Sequence, residues 1–449
     1  MNTVVSIHSA GVSDVNGEFV DFAGERFYAI RNVDHMAPFF ISVISNDDHW
    51  LFVSSTGGLT AGRVSPETAL FPYVTVDRIH ESGLHTGPRT ILRVHADGSR
   101  SEWEPFNREH DDRYAISRNL YKNTLGNKLC FEEINHDLGL EFRYTWATSD
   151  EYGFTRQCEI RNASQRDVRV EILDGLQNIL PAGTPRFTQT NSSNLVDAYK
   201  WTELDESTGL ALFTLYSGIT DRAEPCESLR ANVVYSLGLD NPTMLVSSEQ
   251  LNAFRHGSTV NQETHRRGIR GAYFVNAAFD LAAGASQSWQ IVANIEQTQA
   301  QVVELRGQLQ QPDDVAAAIE ESVKSGTDDL ARIMGGNDGF QRTAEENVSV
   351  HHYANVLFNV LRGGFFYDQY RILARDFRNT IRLFNKGVFS RNRELLEGLD
   401  DGINFGELRK RIAATGDTQL MRLTSEYLPI RFGRRHGDPS RPWNQFAIH

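Results

Sequence analysis

Cysteine is scarce: Cys130, Cys158 and Cys226 are the only three in 449 residues, an odd number, widely spaced and without a C-x-x-C pair. That argues against a disulfide framework and a cysteine zinc site, and fits reduced, mostly buried thiols. No apolar run approaches the ~20 residues that a membrane-spanning helix needs. Positive charge is also short: the formal net charge is -13 and no lysine-rich or arginine-rich tail offsets it. A nucleic-acid surface needs clustered cations, so neither nucleic acid nor a membrane is an expected partner. The opening residues, Met1 to Gly17, have neither a basic start nor a sustained apolar stretch. No secretory leader is visible there, and a cytoplasmic location is the expectation.

What is present describes a globular chain long enough for two or three domains with their own cores. Up to residue 296 strands dominate. Leu140, Phe142, Tyr144 and Trp146 alternate with polar neighbours, as do Val168, Val170 and Ile172, and later Trp289, Ile291, Ala293 and Ile295. That period belongs to a sheet with one wet face. Turn clusters such as Ala96-Asp97-Gly98-Ser99 and Asn162-Ala163-Ser164 recur between the runs, and together they predict an antiparallel β-sandwich over 1–296. Residues 297–345 read as a helical linker, with a second helix opened by Pro312-Asp313-Asp314 and stopped by Gly335-Gly336. From 346 to 449 amphipathic helices continue. Tyr353, Val356, Leu357, Val360 and Leu361 form one stripe, Phe377, Ile381 and Phe384 another, and Phe405, Leu408 and Ile412 a third behind Asn404 as a cap.

The stretch from Met36 to Asp77 concentrates chemistry. Phe39 to Val43 and Trp50 to Val53 flank the turn-forming Ser45-Asn46-Asp47-Asp48, which predicts a hairpin. Gly57, Gly58 and Gly62 then bring the main chain close to whatever lies opposite. No Gly-Lys-Ser/Thr follows and no G-x-G-x-x-G opens a helix, so a nucleotide site is not indicated. Trp50, Phe71 and Tyr73 could stack on pyranose rings while Arg63 and Asp77 supply hydrogen bonds; the competing reading makes the aromatics core and the charges solvated. Arg108 to Tyr114 gathers titratable groups without a metal-ligand spacing and reads as a charged turn. Glu132 and Glu133 point to opposite faces of a strand and are no acid/base pair.

Near the end, Gly437, Pro439 and Pro442 forbid a regular helix, and the run from Arg434 to Asn444 reads as a loop. Arg434, Arg435 and Arg441 with His436 suit phosphate oxygens, and Trp443 with Asn444 beside them suits a sugar. A scaffold loop whose arginines meet internal carboxylates is the alternative.

The stretches Pro38 to Asp77, Leu120 to Trp146, Gly153 to Asn162, Asp174 to Gly183 and Arg434 to Asn444 together resemble the amino-terminal part of glycoside hydrolase family 94, the cellobiose phosphorylase-like proteins. The resemblance implies a galactose-mutarotase-like supersandwich, a helical linker and the first helices of an (α/α)6 barrel. It implies inverting phosphorolysis of β-linked glucosides or oligosaccharides, with inorganic phosphate as co-substrate, no cofactor and no metal. The 104 residues from 346 to 449 give room for about half of such a barrel, so a truncated barrel is expected, with a second polypeptide able to supply the rest and a homodimer possible in principle. The catalytic acid is not assignable on this chain. Two rival readings stay open: a hydrolase in which water replaces phosphate, and a non-catalytic carbohydrate-binding module.

Overall fold

The computed structural model describes residues 15–96, 98–219, 229–336, 339–340, 342–361 and 371–435. Every strand pairing among them is antiparallel, in agreement with the expected sandwich. One sheet has eleven strands and runs from Asn16–Phe22 at one edge, through Leu140–Ser149, Gly153–Asn162 and Ser286–Thr298 at its centre, to His265–Arg267 at the other. A second sheet has five strands, with Val168–Ile179 between Gly271–Leu281 and Gly87–Ala96. A third, of four strands, is built from Phe40–Val43, His49–Ser54, Leu59–Arg63 and Ala69–Phe71.

The alternation read in the sequence selects the buried faces. Leu140, Phe142, Tyr144 and Trp146 turn inward, and so do Val168, Val170, Ile172, Trp289 and Ile291, which join residues of all three sheets in one core. Side chains of period two must land on one face of a pleated strand, and burying that face is the main stabilising term. The predicted hairpin forms with Phe40 opposite Ser54 and Val43 opposite Leu51.

Strands give way to helices at Thr298, which caps Gln299–Gln308 reciprocally with Gln301. The helix Pro312–Gly336 follows. Its residues Val315 and Ile319 pack on Val233, Tyr235 and Val292, the face of the large sheet turned away from the main core. That contact carries the first compact unit to Gly326, and a second unit starts at Thr327. In the second unit Val356, Leu357, Phe377, Ile381, Phe405, Leu408 and Ile412 are buried as their stripes require, and the Asn404 side chain caps Phe405–Ala413 through Gly406 N–H. Phe384 departs from its stripe and is 60% exposed, because Phe384 closes the helix Ala374–Phe384 and Leu383 beside it also faces water. The helix Thr418–Arg435 takes in Arg434 and Arg435, which the sequence placed in a loop. The helix continues through Pro429 and Gly433, neither of which ends it.

Candidate functional site

Loops between strands frame a cleft of about 510 Å³ in the first unit. Its floor combines Tyr144 and Arg156 of the large sheet with Thr90 of the five-stranded sheet, and its rim carries Gly57, His80, Glu81, Phe106, Arg108 and Glu109.

The glycine-rich turn builds one wall. A Cβ on Gly58 would lie 2.0 Å from the Ile79 carbonyl oxygen and 2.6 Å from Ser82 Oγ, so only glycine lets this turn press against residues 79–83. Thr56 Oγ1 donates to the His80 carbonyl at 2.8 Å, and the His80 Nδ1 lies 2.7 Å from Ser54 Oγ. His80 and Glu81 are thereby held at the rim.

The floor is a fully buried ion pair. Arg156 Nη1 donates to both oxygens of Asp174, at 2.9 and 2.8 Å, and both side chains are wholly buried. Asp174 also accepts from Thr90 Oγ1 at 2.6 Å and from Trp289 Nε1 at 2.7 Å. The Arg156 guanidinium lies 4.6 Å over the Tyr144 ring. Burial alone would lower the affinity of Arg156 for its proton; the Asp174 carboxylate outweighs it and holds the guanidinium charged. One donor is left over. Arg156 Nε is buried and has no acceptor among the described residues.

The opposite lip is held by a second buried carboxylate. Glu133 accepts from Trp103 Nε1 at 2.7 Å, Arg118 Nε at 2.7 Å and the Phe106 N–H at 2.6 Å. Phe106 has a left-handed backbone, φ 64°, which costs a non-glycine residue about 1 kcal/mol or more and persists because Glu133 fixes its amide. Glu132, its neighbour, points the other way to Asn119 and Tyr121, so the two carboxylates do serve separate networks.

Beyond the rim the cleft continues into a polar volume of about 440 Å³. Leu84, Arg89, Asn107 and Glu109 line both volumes. At this divide Glu104, nearly inaccessible, binds Arg89 Nε and accepts from Arg255 Nη2 at 2.9 Å and Nε at 3.1 Å. Burial opposes ionisation of Glu104, but Arg255 and Arg89 more than compensate, and its pKa lies below the usual carboxylate value. His110 sits at the same place; burial pushes its imidazolium pKa down, against the pull of Glu104. Arg255 belongs to the short helix Leu251–Arg255, which Arg93 fastens to the sheet by donating from Nε to the Phe254 carbonyl at 3.0 Å.

The residues singled out in the sequence fall elsewhere. Phe71 is fully buried core. Trp50 covers Gly62, donates from Nε1 to the Ser65 carbonyl at 3.1 Å, and meets Tyr73 edge-on at 5.5 Å. Arg63 is held by Asp47 and Asp48, each at 2.5 Å. Asp77 is exposed on a short 3-10 turn. None of these five lines the cleft. Arg434 and Arg435 end a helix, while His436, Arg441, Trp443 and Asn444 lie outside the described residues. The charged stretch read as a turn in the sequence forms one, a 3-10 turn over Arg108–His110, and it lies at the rim of the cleft. Asp47, Asp48 and His49 gather ligand-type atoms within 4.8 Å of one another, but the Arg63 guanidinium already sits on the two carboxylates as their cation.

Residues 366–429 match the glycoside hydrolase family 149 insertion domain 1. No curated protein sequence matches the chain. Among solved structures, a bacterial glucoamylase complexed with acarbose is similar over 85% of this chain and 52% of its own, at 8% identity and a TM-score of 0.37. The chain thus spans about half the length of that enzyme. A GalM/aldose epimerase homologue from C. elegans is similar over 58% of this chain and 100% of its own, at 8% identity and a TM-score of 0.32. A polysaccharide lyase is similar over 56% of this chain and 32% of its own, at 12% identity and a TM-score of 0.30. Scores this low transfer no function.

Proposed function

We propose that the chain belongs to a carbohydrate-active protein of the glycoside hydrolase or phosphorylase kind, and that the cleft over Arg156 holds a neutral sugar. The observation that carries this reading is the balance of charge in the cleft. Arg156 is matched by Asp174 and Arg89 by Glu104, so the walls offer many hydrogen-bonding groups with little net charge. A phosphate or carboxylate ligand would favour unmatched cations; a polyhydroxyl ligand needs donors and acceptors in alternation. Glu81 and Glu109 at the rim add acceptors, and Phe106 adds ring surface against which the C–H face of a sugar can pack. The match of residues 366–429 to a glycoside hydrolase insertion domain supports the same chemistry from the second unit.

The reaction we assign is inverting phosphorolysis of a β-linked glucoside, with Arg434, Arg435, His436 and Arg441 taking inorganic phosphate and Trp443 and Asn444 beside them. Calorimetric titration with glucose and β-linked gluco-oligosaccharides, followed by product analysis with and without phosphate, tests it. Saccharide binding is expected of this chain, and glucose 1-phosphate, formed only with phosphate, once a polypeptide carrying the rest of the barrel is added. Free glucose in the absence of phosphate would make the reaction a hydrolysis, binding without either product would leave a binding module, and no binding would refute the cleft assignment. Arg435→Ala is expected to weaken phosphate dependence at unchanged melting temperature. A lower melting temperature with phosphate dependence intact would return these arginines to the scaffold.

A further inference from the structure

The second unit carries a cationic face within an acidic chain. Residues 1–326 hold 43 acidic and 27 basic side chains, a balance of -16, whereas residues 327–449 hold 15 and 18, a balance of +3. Between Arg371 and Arg393 the bias is sharper: seven arginines and lysines against one acid, Asp376, whose carboxylate already accepts from Tyr427 Oη at 2.6 Å. Arg391 and Arg393 pair with Asp417 and Glu397. Arg371, Arg375, Arg382 and Lys386 are exposed and have no carboxylate partner among the described residues. On the helix Ala374–Phe384 the side chains of Ala374, Phe377 and Ile381 are buried, and Arg375, Asn379 and Arg382 face outward. Leu383 and Phe384 at its end are 74% and 60% exposed. Seven residues separate Arg375 from Arg382, which sets them about 10.5 Å apart along the helix and within about 20° of one line.

The complementary spacing stands on the helix Pro312–Gly336. Val315 and Ile319 bury one side of it, and Asp314, Glu321 and Asp328 are exposed on the other. Each is seven residues from the next, so these carboxylates repeat at the interval of Arg375 and Arg382. Asp313 and Glu320 are exposed beside them at the same interval. Lys324 lies 3.7 Å from Glu321 with both side chains largely in water, a loose pair that leaves the row acidic. Each face is thus a row of one sign that the other would neutralise. Exposed ion pairs are weak, so charge sets which surfaces meet and in what register, while burial of Leu383 and Phe384 beside the cationic row supplies adhesion. A lipid surface fits less well, because only these two apolar side chains would reach it and the chain as a whole repels anionic headgroups.

We infer that the cationic face of Ala374–Phe384 docks on the acidic face of Pro312–Gly336 in a second copy of this chain. Reciprocal use of both faces closes a symmetric dimer with two such contacts. The inference stands apart from the sugar reading of the cleft, since none of its residues lines that volume.

Sedimentation velocity of the full 449-residue chain tests it. Self-association is expected that weakens about tenfold or more between about 10 mM and about 150 mM salt, as the screening length falls from about 30 Å to about 8 Å. Arg375→Glu with Arg382→Glu is expected to be monomeric at low salt, and so is Asp314→Arg with Glu321→Arg, each melting close to the wild type because all four side chains are exposed. Mixed in equal amounts, these two variants are expected to restore the dimer, since each then offers the other the opposite charge on both faces. Should a reversed variant fail to fold, Arg375→Gln with Arg382→Gln and the salt series carry the test, with weaker association expected of that variant. A wild type monomeric at low salt, a dimer that ignores salt, or two monomeric variants that stay apart on mixing would overturn the proposal. A monomeric wild type that binds vesicles containing anionic phospholipid would overturn it too, and would give the cationic face to a lipid surface.

Discussion

Neutralising Asp174 is the most direct test of the floor of the cleft. Asp174→Asn keeps the side-chain volume but strands the Arg156 guanidinium, fully buried, without its counter-ion. It also replaces one of the two oxygens, Oδ1 bound by Thr90 and Arg156 or Oδ2 bound by Trp289 and Arg156, with an amide nitrogen that must turn its donors toward those donors. Removing one partner of a fully buried pair costs about 3–5 kcal/mol, because the remaining charge has no water to return to. At about 2 °C per kcal/mol for a unit of this size, the melting transition of the sandwich should fall by about 6–10 °C in calorimetry. The double variant Arg156→Met with Asp174→Leu removes both charges and is expected to be more stable than Asp174→Asn alone, since burying apolar atoms in place of a buried pair is often neutral or better. A cost below about 1 kcal/mol for Asp174→Asn, or a double variant no better than the single one, would refute the account of a desolvated, mutually dependent pair.

Two further outcomes follow from particular residues. His49 is shielded from water beside Arg63, and burial first, then the Arg63 charge, bring its pKa down to about 4. The unfolded chain therefore takes up this proton first: stability holds above about pH 6.5 and falls as pH drops toward 4, by about 3 kcal/mol in all. His49→Phe should flatten that part of the pH profile of the melting temperature; an unchanged slope would exclude His49 as its source. Gly58→Ala places a Cβ against the Ile79 carbonyl, and is expected to cost about 1–3 kcal/mol in urea unfolding and to weaken saccharide binding by shifting the His80–Glu81 wall. Wild-type stability in this variant would show that the turn does not bear on that wall.

Much of the fold was legible because its signals are local. The period-two runs around Phe142 and Ile172, the hairpin on either side of Ser45 to Asp48, the breaks at Pro312 and Gly335-Gly336, and the Asn404 cap all act within a few residues of themselves, and the structure places them as expected. The glycine argument also held, with Gly58 and Gly62 each at a close approach, though what they approach, Ile79 and Trp50, was not readable. The limits of pattern reading show at Arg434 and Arg435, where the glycine and prolines beyond them suggested a loop, yet the helix carries on through Pro429 and Gly433 to include both.

The cleft was not legible, and the reason is physical. Its parts come from Gly57, Thr90, Phe106, Tyr144, Arg156 and Gln177, brought together only by strand pairing and by the packing of one sheet on another. Arg156 and Asp174 are 18 residues apart and sit on different sheets, so their spacing carries no motif; in the sequence Arg156 is one more charge in an alternating strand. Conversely, Trp50, Phe71 and Arg63 have the composition of a binding surface, and composition does not say which aromatic is covered or which arginine already has its carboxylates. By itself, the order of residues determined the strands, the helices and the face each one buries, because those follow from periodicity and backbone preference. Tertiary structure alone decided which buried donors were left unpaired and where the open volume lay, because hydrogen-bond satisfaction and desolvation depend on neighbours that are remote along the chain.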